Sequence, residues 1–440
     1  MKQESDLLPV ANRFVSLFDE MKDGCPEWIK DIHENSILKF KDKGFPGKKD
    51  ESYRFSHDEF SLIGEFDLEE PVELPFTRNQ LLAEKNIDRS SFTVITVNGK
   101  YSESLNADVA FPEGMIVGNL CVKGVQEQKM ISSFLNVQAG KSEDSLVDLN
   151  NAFFRDGLFL CFPSNVVIDK PVCVLNVNYS KKPTFSAQRN LIVLGSNSKV
   201  SLLYEDVSAF SEKMFSNNVT EIFIDRDSSL DFCEIQDLND GSRSVHSIFT
   251  SQKDNSFLQT ELNPVRGAWI RNNLKVDIDG EFAEAKLYGL SVIGEDQHFD
   301  QFTKVDHIKP NCSSDQHYKY MLEKNARGSF YGRIHVFRDA QKTNAYQKNN
   351  NILLTEKAVM NTRPQLIIDA DDVKCSHGAT IGQIDKEALF YMQQRGIGKD
   401  DAMMLMMNAF AGEVIDKFKN EKIKKYMTEM VTRKLGGAKE

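Results

Sequence analysis

The sequence predicts a mainly β chain flanked by helical ends, and three observations predict it. Between about residues 91 and 375, short alternating apolar runs recur, broken by Gly, Asn, Asp and Ser. Before and after that zone, apolar residues fall at the three- and four-residue spacing of amphipathic helices. The strand-rich zone is also long for one sandwich or barrel, whereas a stacked β-solenoid lengthens without widening its core. Periodicity alone leaves both architectures open.

Taken in order, residues 1–90 read as a helical region. Phe14, Val15, Phe18 and Met21 share one helical face. Pro26 is placed to open a second helix carrying Trp28, Ile29 and Ile32. The run Gly44-Phe45-Pro46-Gly47 is a turn-rich break. Residues 91–380 read as the β core. Leu191-Ile192-Val193-Leu194 precedes Val200-Ser201-Leu202, and Ile222-Phe223-Ile224 precedes Leu230-Asp231-Phe232. The intervening Gly195-Ser196-Asn197-Ser198 and Asp225-Arg226-Asp227-Ser228 use residues that tolerate unusual backbone angles. In a solenoid, Asn272-Asn273 and Asn349-Asn350-Asn351 would serve as interior or turn ladders. Residues 381–440 read as a C-terminal helical domain. Asp385 caps its first helix, Gly396 and Gly398 stop it, and Asp400-Asp401 opens a second. The mostly basic stretch from Lys417 to Lys425 is expected to be a solvated helix end.

The 440 residues carry a net charge of −11 and a pI near 5.4, which argues against a nucleic-acid partner. No charged-then-apolar leader opens the chain, and no run approaches the ~18 apolar residues of a membrane span. The seven cysteines are Cys25, Cys121, Cys161, Cys173, Cys233, Cys312 and Cys375. They are scattered and none forms a CxxC pair, so a cytoplasmic chain with reduced thiols is expected and a structural zinc site is not.

Chemistry concentrates at Asp371-Asp372-Val373-Lys374-Cys375-Ser376-His377-Gly378-Ala379-Thr380. In an extended segment Cys375 and His377 point to the same side, and thiolate and imidazole both ligate iron. Two ligands fall short of the four or so that an iron–sulfur cluster takes. The spacing is also that of a buried thiol beside a hydrogen-bonded histidine, the commoner arrangement, or of a nucleophilic cysteine with His377 as base, for which no recognisable nucleophile motif is present. His298, His307 and His317 recur at nine- and ten-residue steps, as a coil-by-coil stack would, and are expected to be hydrogen-bonded elements of the fold rather than metal ligands. No G-x-x-x-x-G-K-[ST] run is present, which argues against a P-loop ATPase.

This signature resembles that of the SufB/SufD family of scaffold proteins in the Suf iron–sulfur cluster assembly system, on its SufD side. The resemblance extends through Asp339-Ala340-Gln341-Lys342-Thr343-Asn344-Ala345 and Asn361-Thr362-Arg363-Pro364-Gln365-Leu366, and is strong over roughly residues 266–418. Ser52-Tyr53-Arg54 also resembles a family element, with Tyr53 where tryptophan is common. The resemblance implies a right-handed parallel β-helix core flanked by N-terminal and C-terminal helical regions. It implies a non-catalytic scaffold paired with a SufB-like subunit, and a SufC-like ATPase on the helices from Asp385 to Phe418, where Met403 to Met407 lie. It places Cys375 and His377 at a nascent cluster site, transient and shared with that partner, exposed when the ATPases close. Asp300, Thr303 and His307 are expected to define the fold, and Cys233 and Cys312 to be core thiols. The competing readings are a SufB-like subunit, a homodimeric scaffold without a cluster role, and a β-helix enzyme acting on polysaccharide. Ser376-His377-Gly378, in place of acidic residues, favours SufD over SufB.

Overall fold

A computed structural model describes residues 2–21, 27–70, 74–84, 92–121, 125–209 and 211–435. From Leu158–Phe162 onward, successive strands alternate between two sheets, and their neighbours within each sheet are parallel. Each coil thus gives one strand to each sheet, and Trp269, His298 and Arg327 lie in register on consecutive coils. This is a parallel β-solenoid of about seven turns, which settles the choice that periodicity left open.

The alternation of side chains creates four layers. Inward residues such as Val200, Leu230, Ile222 and Ile248 meet between the sheets and form the main core. The outer face of one sheet carries Phe185, Phe215, Val245 and Trp269, which pack under Phe14, Phe18, Phe40 and Phe60 of the N-terminal region. The outer face of the other carries Tyr288, Leu290, Val292 and Met321 under Met407, Val414, Phe418, Met427 and Val431 of the C-terminal helices. Burying both outer faces explains why so many strands read as apolar runs.

Local chemistry sets the turns. Asn165, Asn197, Asp227 and Asn255 all adopt positive φ, the conformation that Asn and Asp accept most readily after glycine. Asn197 Nδ2 donates to Asn165 Oδ1 at 3.2 Å, and Asn255 Nδ2 to Asp227 Oδ1 at 3.0 Å. These turn positions are the asparagine ladder. Asn272, Asn349 and Asn351 are interior residues that form no asparagine column from coil to coil: Asn272 Nδ2 donates to Gln236 Oε1 at 2.9 Å, and Asn351 Nδ2 to Asn349 Oδ1 on its own strand at 2.7 Å. The histidine steps also need correcting. A coil here spans 29 to 31 residues, so His298 stacks on Trp269 and Arg327, His307 on Ile278 and Val336, and His317 on Tyr288 and Lys348. His298 and His307 are the two ends of one strand and His317 lies in the next, so their spacing reflects positions within half a coil or so, not coil length.

The N-terminal helices fall where apolar spacing places them, with Phe14, Phe18 and Met21 buried. Cys25 and Pro26 lie outside the described residues. Helices at Val125–Ser132 and Ser145–Phe153 lie inside the zone read as strand-rich. The second starts where Asp144 accepts from Leu146 N at 3.0 Å, and all nine of its residues are buried. Asp385 caps Lys386–Gln394 through Glu387 N and Ala388 N, as its position suggests. The Lys417–Lys425 stretch is less solvated than expected. Lys417 pairs with Asp315 at 3.1 Å and Lys419 with Asp231 at 2.5 Å, tying the helical layer to the sheet.

The seam with the N-terminal region is ionic. Glu221 accepts from the backbone of Asn136, Gln138 and Ala139 and from Arg189 at 2.6 Å, in full burial. His298 lies between Glu59 at 3.0 Å and Asp300 at 2.9 Å, and Asp300 also accepts from Trp269 Nε1 and Ser329 Oγ. Burial by itself would lower the His298 pKa. The Asp300 charge and the bonds to Asp300 and Glu59 outweigh burial and the nearby Arg327, and push it up to about 9. A folded-state pKa above the ordinary 6.5 means that proton binding stabilises the fold. That stability is complete below about pH 6.5 and is lost as pH rises through 9. Urea unfolding at pH 6.5 and pH 9.5 is therefore expected to show a loss on the order of 2–3 kcal/mol that His298→Gln removes.

Candidate functional site

The residues Asp339 to Ala345 form the turn into the strand Thr343–Leu353. Thr343 Oγ1 donates to Ala340 O at 2.8 Å, and both residues are fully buried. The next strand of that sheet, Val373–Gly382, carries Cys375 and His377. Ala345 pairs with Cys375 and Gln347 with His377. Ala345 and Gln347 are buried inward residues, so Cys375 and His377 occupy the inward face of the coil above them.

No further coil covers that face. Among the described residues, Val373–Gly382 pairs only with Thr343–Leu353, and Val359–Ile368 on the opposite sheet pairs only with Arg327–Val336. Cys375 is half-buried against the last core residues, while His377, Gly378 and Ala379 are exposed. A Cβ built on Gly378 or Gly382 would meet no atom within 4 Å. Val359, Ile368 and Ile381 are exposed at the same end. Pro364, which lacks an N–H, sits in the terminal strand of its sheet, where a missing donor costs least.

Burial pushes the Cys375 thiol pKa up, against a hydrogen bond with the Ala345 backbone that works to lower it. The thiol is thus kept protonated in the isolated chain, which argues against a nucleophile activated from within it. No group of three or more His, Cys, Asp or Glu side chains among the described residues is arranged to hold a metal ion.

The other candidates resolve as structure. Cys312 lies in the main core and Cys233 under the C-terminal helices. Asp300, Thr303 and His307 are buried, with Thr303 Oγ1 donating to Gln316 and His307 Nε2 bonded to Ser314 Oγ at 2.8 Å. Tyr53 is buried beneath Arg271, whose guanidinium lies 3.7 Å from its ring centre. Met407 faces the core and Leu405 faces out. Phe390 and Tyr391 are exposed on the first C-terminal helix, none of whose residues is buried. A groove of about 780 Å³ lined by Lys43, Tyr53, Lys275, Lys304 and Arg333 lies against the other sheet and includes neither Cys375 nor His377. Sequence reading missed the buried glutamines Gln316 and Gln347 beneath His377. Their signal was a glutamine at the inward position of two successive coils.

Two parallel sheets with helical layers on both outer faces, ending in an open coil that presents a thiol and an imidazole, define a helix-flanked β-solenoid. Residues 176–410 match the family described as SUF system FeS cluster assembly, SufBD core domain, and residues 9–174 match the SufBD protein N-terminal region. The chain belongs to the SufBD family of iron–sulfur cluster assembly proteins. It is 26% identical over 407 residues to an iron–sulfur cluster assembly SufBD family protein of Synechocystis sp., covering 87% of this chain and 88% of that one. It is 24% identical over 438 residues to the iron–sulfur cluster assembly protein SufD of Bacillus subtilis, covering 97% and 98%. Identity to SufD of Escherichia coli is 37% over 174 residues, 39% of this chain and 41% of that one. Among the described residues no helix is long and apolar enough to cross a membrane.

Thiol labelling checks the placement. With N-ethylmaleimide on the folded chain, Cys375 is expected to react while Cys173, Cys233 and Cys312, at 1%, 5% and 1% exposure, react only after unfolding. Mass spectrometry of the labelled peptides reads the order.

Proposed function

We propose that this chain is a SufD-type scaffold subunit that pairs through its open coil with a SufB-like subunit and contributes Cys375 and His377 to a nascent iron–sulfur cluster at their interface. The observation that carries this reading is the placement of both donors on the inward face of a terminal strand that no further coil covers. A partner that extends the sheets would bury the exposed strand edges by β-augmentation and supply the missing ligands in the same step. The cluster is cargo in this reading, held in passing and not tightly bound by the chain alone.

The chain has no catalytic role of its own in this account. A SufC-like ATPase docks on the C-terminal helices, where Phe390, Tyr391 and Leu405 are exposed. ATP-driven closure of the ATPases would move the scaffold pair and open the site. The setting is cytoplasmic. A homodimer through the same strand edges is the second reading, favoured by the same exposed Val359, Ile368 and Ile381.

Anaerobic copurification with SufB-like and SufC-like partners, followed by iron and acid-labile sulfide analysis, tests the site. The Cys375→Ala, His377→Ala pair is expected to assemble normally and to lose most of its iron and sulfide. Normal loading in that variant would remove both residues from the site and leave the ligands on the partner.

The interface has its own test. Ile381→Lys is expected to change the stability of the isolated chain by less than about 0.5 kcal/mol, because Ile381 is exposed there. It is expected to weaken SufB-like partner binding by about tenfold or more, near 1.4 kcal/mol, read by calorimetry. Unchanged affinity would place the partner elsewhere.

A further inference from the structure

The inward face of the solenoid is not uniformly apolar near its open end. One column of side chains runs through Leu287, Gln316, Gln347 and His377, one residue from each successive coil. Gln316 and Gln347 are 0% and 1% exposed. Their amides are oriented from the opposite sheet, because Thr303 Oγ1 donates to Gln316 Oε1 at 2.8 Å. Gln347 Nε2 donates to the same oxygen at 3.3 Å. With its nitrogen so used, Gln347 keeps Oε1 buried and without a partner. Gly332 makes room for this amide, since a Cβ there would lie 2.3 Å from Gln347 Nε2.

A buried acceptor left unmet costs about 1–3 kcal/mol. The next residue of the column is His377, and a neutral imidazole has one N–H to give and one lone pair to keep. We propose that Gln347 is a positioning residue for His377. Oε1 has no partner in this structure; a turn of the exposed imidazole toward the column lets it accept one ring N–H and fixes the tautomer, so the other nitrogen holds its lone pair toward the open end. Metal-binding histidines are commonly held this way by an acceptor behind the ring. The column supplies the acceptor before any partner arrives. Only the last step, from an oriented ring to a ligand, rests on the function proposed above.

The test uses the full chain with 15N-labelled histidine, at a pH where His377 is neutral. Long-range proton–nitrogen spectra report which ring nitrogen carries the proton, and His377→Gln assigns the signals. Gln347→Met keeps the length and removes the acceptor, and Gln347→Glu restores one. Thermal unfolding shows whether each variant folds. The expected result is a shift of roughly fivefold in the tautomer ratio of Gln347→Met, the change that one net hydrogen bond supports, with recovery in Gln347→Glu. The same ratio in wild type and folded Gln347→Met overturns the inference, with water as the partner of Oε1. If Gln347→Met does not fold, the wild-type spectrum decides: one tautomer supports the inference and a mixture overturns it. Cluster content of the copurified complex separates the two proposals. A shifted ratio with unchanged iron and sulfide supports the role of Gln347 and overturns His377 as a ligand.

Discussion

Everything in this molecule depends on the coil-to-coil hydrogen-bond ladder of its two parallel sheets. Because each coil adds one strand to each sheet, side chains far apart in sequence stand one strand spacing apart in columns. The ladder has consequences that no single strand shows. Lys275, Lys304 and Arg333 are stacked in register, an arrangement of like charges that is unfavourable by itself. Asp277 and Asp306 stand in the neighbouring outward column, and Lys304 pairs with Asp306. Burial nonetheless lowers the Lys275 pKa, and burial with the Asp306 charge raises that of Asp277.

A ladder must end, and its two ends are treated differently. At the beginning, Ile116–Asn119 and Lys100–Tyr101 pair antiparallel with their neighbours. At the other end the strands Val359–Ile368 and Val373–Gly382 simply stop. Inward residues that would be core one coil earlier are there left in view. His377 is thus exposed, and Cys375 left half-covered, by the geometry of termination, not by a loop or a cleft. This is why pocket-like concavity lies elsewhere, at the seam with the N-terminal region.

Much of this was legible in the sequence, for identifiable reasons. The helical ends followed from apolar spacing, and the turns from Asn197 and Asp227, which do take positive φ. The inward pairing of Cys375 and His377 followed from strand alternation. The coil length was not legible, because strand-plus-turn units repeat at about half a coil and mimic a shorter period. The false histidine stack came from taking His298 and His307, the two ends of one strand, for separate coils. Helix Ser145–Phe153 was passed over although Ser145, Asp148 and Asn151 recur at three-residue spacing, because its polar face is buried against partners rather than solvated and the segment sits inside a strand-rich zone. Gln316 and Gln347 were invisible as a pair until the register placed them in one column.

The positions of the helical layers bear on how such a site could be worked. The C-terminal helices pack on the outer face of the same sheet whose inner face ends in His377. Their cluster reaches Ile352 and Leu354, in and just after the strand Thr343–Leu353, and Ile384, just after the terminal strand. Lys319 ties the layer down further, through Phe410 O at 2.8 Å and the Glu413 carboxylate. A load on these helices therefore falls on the strand that carries Gln347 and on the chain leaving the strand of Cys375 and His377. Close-packed layers transmit displacement because they have little free volume to absorb it. On the proposed reading, an ATPase docked on the helices acts one strand away from the donors. On the same reading, the column beneath His377 would keep the ring oriented while the edge beside it moves.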